Sequence, residues 1–375
     1  MTEGKLLHKG KFKIKSALIW KILLVVGAIF LFLLSIDLMG GAFNRIGKPV
    51  VEPFITATSN PFIGLFMGLL VTAIIQSSST TTSMVVAIVA SGALSLQHAI
   101  PIVIGANIGT TFTSTIVALG YITKNKEFNR AIAAGTLHDF FNILTACIIF
   151  PLEYFYGVLS YLSSNLTAAI TATSLGENLE GFNIEILSIR HVGDLILSLI
   201  ENNWILIFSS FLLLYLSIKV LSTVIYKMLI GDESNKFKSY FFESPLKSFG
   251  WGLFITAAIQ SSSVTTSLTV PLVATGKVSL KKIFTFIMGA NLGTTVTAIL
   301  ASLLKSEAAI SIAFAHFLFN FIGILLFFPV PWMRNVPVVL SKKLGKLTME
   351  YKLIGFVYII LTFFLIPFLL IYFSG

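Results

Sequence analysis

The chain has 375 residues, of which 56% are hydrophobic and only 11% charged, less than half the charged fraction of an ordinary soluble domain. That balance excludes a soluble fold and specifies an all-α, multi-pass membrane protein. The net charge of +10 is carried in short basic clusters between apolar runs, a pattern that orients membrane helices and is not a nucleic-acid footprint.

In chain order, residues 1–16 are a lysine-rich N-terminus (Lys5, Lys9, Lys11, Lys13 and Lys15) expected in the cytoplasm. The apolar run that follows, 17–38, is too long for a signal-peptide core and lacks a small-residue cleavage site, so it reads as an uncleaved first span. The first half occupies 17–152. It holds an apolar stretch at about 61–91, split by a polar octet, and then spans at 98–120 and 131–152. Residues 153–203 form an acidic link expected outside the cell, with Glu153, Glu177, Glu180, Glu185, Asp194 and Glu201 against Arg190. The second half, 204–330, begins with a span at 203–226. It repeats the split stretch at about 248–276 and continues with spans at 283–303 and 308–328. A basic cytoplasmic loop at 331–352 leads to a C-terminal apolar helix at 353–375. Basic residues favour the same side at most loops, which sets a cytoplasmic N-terminus; the expected location is the plasma membrane. Arg45 and Lys48 break the pattern, since they fall outside. Cys147 is the single cysteine, which rules out an intrachain disulfide and a cysteine-based metal site.

The halves are copies. "QSSSTTTS" opens at Gln76 and "QSSSVTTS" at Gln260, an offset of 184 that also relates "GANIGTT" from Gly105 to "GANLGTT" from Gly289. After a short deletion, "HDFFN" from His138 pairs with "HFLFN" from His316. Each half of a split stretch is short for a full crossing, so each stretch is expected to be a re-entrant helical hairpin with its octet at the tip. Three spans then separate the octets. An odd number makes the copies inverted, and inverted repeats with interrupted helices are the signature of a secondary transporter whose site lies between them.

The motifs carry oxyanion and cation chemistry. Hydroxyls and amides in Gln76, Ser77, Ser78 and Ser79, and in Gln260, Ser261, Ser262 and Ser263, both donate and accept hydrogen bonds. A helix start at the tip adds free N–H groups and the positive end of a dipole. Such hydroxyls also glue membrane helices together, but that role does not require the whole octet twice. Asn107, Thr110 and Thr111, with Asn291, Thr294 and Thr295, supply neutral oxygens suited to a hard monovalent cation, while their glycines suit close helix packing. Asp139 is an intramembrane carboxylate, a functional candidate by default, and its counterpart is Phe317. His138 and His316 read as polar packing residues, and a transition-metal site is not expected. GxSxG, HExxH and Walker A motifs are absent, so neither an enzyme nor an ATP-driven pump is expected.

These paired QSSS and GANxGTT motifs, with "HDFFN", "HFLFN" and "FPVPWMRNVPVVLSKKLG", resemble the type II sodium–phosphate cotransporters over about 64–153 and 248–345. The resemblance implies sodium-coupled import of inorganic phosphate by alternating access, with no cofactor besides Na+ as coupling ion. Phosphate would sit between the QSSS hairpins, and Asp139, Asn142 and the Asn and Thr residues named above would bind sodium. Asp139 stands where electrogenic members carry aspartate, which implies about three sodium ions per divalent phosphate. A short bacterial-type member without a PhoU-like domain is expected. The alternatives are symport of another oxyanion, such as sulfate or arsenate, and a phosphate channel or exporter.

Overall fold

A computed structural model describes residues 3–46, 52, 56–172, 189–229, 240–303 and 306–374. Every regular element among them is helical. Seven helical stretches are long and apolar enough to cross a membrane: Ile19–Ile46, Leu96–Leu119, Lys126–Tyr156, Asn203–Leu229, Leu280–Ser302, Glu307–Phe327 and Leu353–Phe373. They correspond one for one to the seven expected spans. Lys48, Lys236, Lys238 and Glu177, Glu180 and Glu185 of the link lie outside the described residues.

Helix α1 (Glu3–Ile46) is longer than the run of 17–38. Its last turn holds Arg45, one of the two residues that break the expected charge pattern. Arg45 Nη1 donates to the carbonyl oxygens of Leu197 at 2.6 Å and Ile200 at 3.3 Å, so this cation answers orphan carbonyls at another helix end.

Each octet adjoins a helix–turn–helix unit. In the first half, α2 (Pro61–Ile75) ends at Gln76, and α3 (Ser78–Ala90) follows Ser77. Gln76 takes φ 59° and its N–H closes on Thr72 O; Ser77 is extended, and its side chain accepts from Thr80 N. A left-handed C-cap followed at once by a serine N-cap stops one helix and starts the next within two residues. The octet is therefore largely helix: six of its eight residues, Ser78 to Ser83, open α3. Thr72 Oγ1 donates to Thr81 Oγ1 at 2.9 Å and ties the two arms together.

Helices α4 (Leu96–Gly109) and α5 (Phe112–Leu119) divide the expected span 98–120 at Thr110–Thr111. The long α6 (Asn125–Tyr156) and α7 (Val158–Thr171) follow. Glu153 is not a solvated link residue. It is buried, and its carboxylate accepts from Leu159 N at 2.6 Å, Ser160 N at 3.1 Å and Ser160 Oγ at 2.5 Å, which caps the start of α7. Helix α8 (Ile189–Leu199) closes the link and α9 (Asn203–Leu229) opens the second half.

The second half repeats the design. Helix α10 (Pro245–Ile259) ends at Gln260, φ 58°, with its N–H on Thr256 O, and Ser261 caps Val264 N. The returning arm is broken into α11 (Ser262–Ser267) and α12 (Thr269–Ala274). Pro271, where the first repeat has Ala87, cannot donate to the turn before it and crowds that turn's carbonyl. Helices α13 (Leu280–Ser302) and α14 (Glu307–Phe327) complete the unit.

Residues 331–352, expected as a basic loop, are instead mostly helix α15 (Pro331–Glu350). Proline at the first helical position is compatible with a helix start. Pro337, Val338, Ser341, Gly345 and Thr348 are buried at helical spacing, while Lys342, Lys343 and Lys346 are exposed; the charge pattern hides an amphipathic helix. The chain ends with α16 (Leu353–Ile360), a π turn over Leu361–Leu365, and α17 (Ile366–Ser374).

Glycines bring the arms against the spans. A β-carbon on Gly68 would run into the carbonyl of Ile102, and one on Gly105 into the carbonyl of Leu65. Gly252 and Gly289 meet Phe286 and Phe249 in the same way. Thus α2 lies on α4 as α10 lies on α13, with backbones in contact.

Candidate functional site

The two octets meet. Ser79 Oγ donates to the Gln260 carbonyl at 2.9 Å and lies 3.2 Å from Thr294 Oγ1. From the other side, Ser263 Oγ donates to the Thr110 carbonyl at 3.4 Å, and Thr110 Oγ1 donates to Ser78 Oγ at 2.8 Å. The Thr110 carbonyl sits at the break between α4 and α5, where Thr110 is the C-cap and its N–H donates to Ala106 O. The helix break thus helps to place a backbone acceptor at the junction of the halves.

Behind this contact, the GANxGTT asparagines exchange partners. Asn107 Oδ1 accepts from His316 Nε2 at 3.2 Å and from Asn320 Nδ2 at 3.0 Å. Asn291 Oδ1 is bonded to His138 Nε2, and Asn291 Nδ2 donates to Asn142 Oδ1 at 2.5 Å. Each asparagine of one half is therefore met by the His and Asn of the other. An amide oxygen only accepts, so His316 donates from Nε2 to Asn107, while Nε2 of His138 lies between Asn291 Oδ1 and Asn142 Nδ2, the latter at 3.3 Å. Asn142 Nδ2 also donates to the Asn107 carbonyl at 2.6 Å, which links the two exchanges.

Asp139 lies beside the network and is fully buried. Its Oδ2 accepts from Thr115 Oγ1 at 2.9 Å and from Tyr358 OH at 3.0 Å. Its Oδ1 has no partner, and neither ion pair found among the described residues involves it. Gln260 Oε1 and Ser262 Oγ are buried and unpartnered as well. A buried carboxylate oxygen with neither donor nor cation is costly and is chemically suited to a cation.

Besides Asp139, Gln260 and Ser262, each with an unpartnered oxygen, the sequence-expected residues divide into three groups. Ser78, Ser79, Ser263, Thr110, Thr294, Asn107, Asn142 and Asn291 join the network across the halves. Ser77 and Ser261 cap helices, and Gln76 is exposed. Thr111 and Thr295 turn their hydroxyls onto their own helices, at Ile108 O and Leu292 O. Residues the motif reading did not select also take part. Ser114 Oγ lies 3.0 Å from Thr266 Oγ1 across the halves. Thr115 and Tyr358 hold Asp139. The polar run "TTFTST" after the first GANIG signals Ser114 and Thr115, whereas Tyr358 in an apolar terminal helix carries no local signal.

A model of the Na+/Pi-cotransporter family matches residues 31–190 and 212–363, both halves with their octets. The chain belongs to the Na+/Pi-cotransporter family. The chain is similar to sodium-dependent phosphate transport protein 2A of Rattus norvegicus, 31% identical over 424 residues, which cover 92% of this chain and 66% of the relative. It is also similar to sodium-dependent phosphate transport protein 2B of Homo sapiens, 30% identical over 455 residues, covering 96% of this chain and 66% of the relative. The chain thus spans about 66% of the length of these curated relatives. No solved structure matches it. The family is one of transporters, not enzymes, which agrees with the lack of a hydrolase or ATPase motif.

Proposed function

We propose that this chain is a sodium-coupled symporter that imports inorganic phosphate, chiefly the divalent form. The observation that carries the reading is the Ser79–Gln260 contact, which joins the octets into one buried polar centre shared by the halves. Nothing in that network is a lysine or arginine. A divalent oxyanion there is met by hydroxyl and amide donors and by the start of α3, and its charge is balanced by cations bound beside it. Sodium is thus required for phosphate to bind, and this is the physical basis of coupling.

Gln76, Ser77, Ser78 and Ser79 with Gln260, Ser261, Ser262 and Ser263 surround phosphate. Asn107, Thr110, Thr111, Asp139, Asn142, Asn291, Thr294 and Thr295 supply the sodium sites, with Asp139 Oδ1 as the charged ligand. About three sodium ions accompany each divalent phosphate, so each cycle moves net positive charge inward. The octet hairpins re-enter from opposite faces of the plasma membrane in inverted repeats, with the N-terminus in the cytoplasm, and alternating access proceeds by exchange of their conformations. The homologues' printed names, sodium-dependent phosphate transport proteins, support this reading.

Uptake of labelled phosphate into proteoliposomes tests it. An imposed sodium gradient is expected to drive accumulation that an equal potassium gradient does not. Equal uptake under both overturns the coupling. Strong competition by sulfate at phosphate-limiting concentration overturns the substrate assignment.

A further inference from the structure

Away from the central network, a cavity of about 510 Å3 opens between α6, the turn after α12, and α15. Arg130, Lys342 and Lys346 line it with Asn129, Gly276 and Ser279, and among the described residues no aspartate or glutamate does. The two ion pairs among the described residues involve other lysines, Lys124 with Glu127 and Lys247 with Glu243. The three cations of the cavity are therefore unpaired.

The wall is built for close approach. Gly276 has φ 75°, and a β-carbon there would stand 2.7 Å from Arg130 Nη1, so the glycine lets the guanidinium lie against the turn. A β-carbon on Gly345 would meet Asn129 Oδ1 at 2.9 Å, so α15 sits close enough to α6 for its lysines to face the same space. Ser279 makes no side-chain cap on α13, although Ser95, at the equivalent place in the first half, caps His98 N at 3.4 Å. The first-turn N–H groups of α13 add partial positive charge at the wall. Gathering like charges around one space costs free energy unless an anion joins them.

We propose that this cavity binds a multivalent phosphate-type anion, at a site separate from the central one. An arginine fork and two lysines match phosphate oxygens in charge and geometry. Two sources share that chemistry: a soluble polyphosphate and the headgroup of an anionic lipid, which basic pockets between membrane helices accommodate on the side where lysines concentrate. Either occupant ties α6 of the first half to the hairpin of the second. The proposal does not rest on sodium-coupled phosphate transport.

The test uses the full chain in nanodiscs, in potassium buffer without sodium. In one arm, inorganic pyrophosphate is titrated in neutral lipid by calorimetry. In the other, retention of cardiolipin, whose two phosphodiesters carry two negative charges, from mixed lipid is read by native mass spectrometry. The wild type is expected to bind in at least one arm, with apparent affinity weakened at least about tenfold in Lys342→Gln/Lys346→Gln, and unchanged in Lys219→Gln, a charge control on α9. Both lysines are exposed, so the double variant is expected to keep its melting temperature in neutral lipid. Arg130→Lys, which retains the charge, is expected to bind in the same arm more weakly than the wild type. Loss confined to the pyrophosphate arm assigns a soluble anion, and loss confined to the lipid arm assigns a headgroup. Identical behaviour of wild type and double variant in both arms overturns the proposal.

Discussion

Tyr358 OH donates to Asp139 Oδ2 at 3.0 Å across 219 residues of sequence, so the C-terminal helix reaches the buried carboxylate of the first half. Thr115 holds the same oxygen, which leaves Oδ1 as the open ligand. Tyr358→Phe removes one of the two donors that fix the carboxylate. The concentration of sodium for half-maximal uptake is expected to rise about 2–10-fold, the equivalent of one net hydrogen bond. Uptake measured against sodium concentration checks this, and an unchanged curve removes Tyr358 from the sodium site.

Asp139→Gly deletes the carboxylate and leaves the octets untouched. Phosphate transport is expected to persist without responding to membrane voltage. The measurement is uptake into proteoliposomes clamped at different potentials with potassium and valinomycin. A voltage response equal to that of the wild type rules out Asp139 as the charge carrier.

Ser262 separates binding from stability. Its hydroxyl is buried and unpartnered, so Ser262→Ala removes a desolvated group that contributes nothing to the empty fold. The melting temperature is expected to hold or rise, while the phosphate KM increases about tenfold through loss of a charge-assisted bond. A fall in melting temperature with unchanged KM reverses that assignment.

The exchanged asparagines are open to a double-mutant cycle. Asn291→Ala leaves the amide oxygen of Asn142 and Nε2 of His138 without their partner across the halves, at a cost of about 2–4 kcal/mol. Combined with His138→Ala, the coupling energy is expected at about 1–3 kcal/mol, read from thermal or denaturant unfolding in detergent. Additive losses show that the contact does no more than fill space.

Gly68→Ala places a methyl group against the Ile102 carbonyl and is expected to abolish a monodisperse protein on gel filtration. Gly250→Ala, on the partner arm with nothing within 4 Å of its added carbon, is expected to leave the elution profile unchanged. Equal profiles for the two variants refute close packing of α2 on α4.

Local signals alone determined a great deal. Apolar runs of a length that crosses a bilayer marked the seven spans, since every backbone polar group in lipid needs its partner within the helix. The duplicated octets marked the two turns, because a glutamine that takes a left-handed cap and a serine that takes an N-cap act over three or four residues. The same repeats located the asparagines that form the centre. Tertiary structure decided the rest. Lysine spacing at 331–352 suggested a solvated loop, yet packing on α6 turned it into an amphipathic helix. Arg45 looked like a loop charge until the end of α8 was brought to it from 152 residues away. Within the GANxGTT motifs, the helix backbone claims Thr111 and Thr295, while the Thr110 hydroxyl turns to Ser78 of its own half and that of Thr294 to Ser79 of the other, a distinction of side-chain direction that composition does not carry. The exchange of Asn107 with His316 and of Asn291 with His138 joins residues 209 and 153 positions apart. Such pairs depend on how the two halves pack, and nothing within a few residues of either partner encodes them.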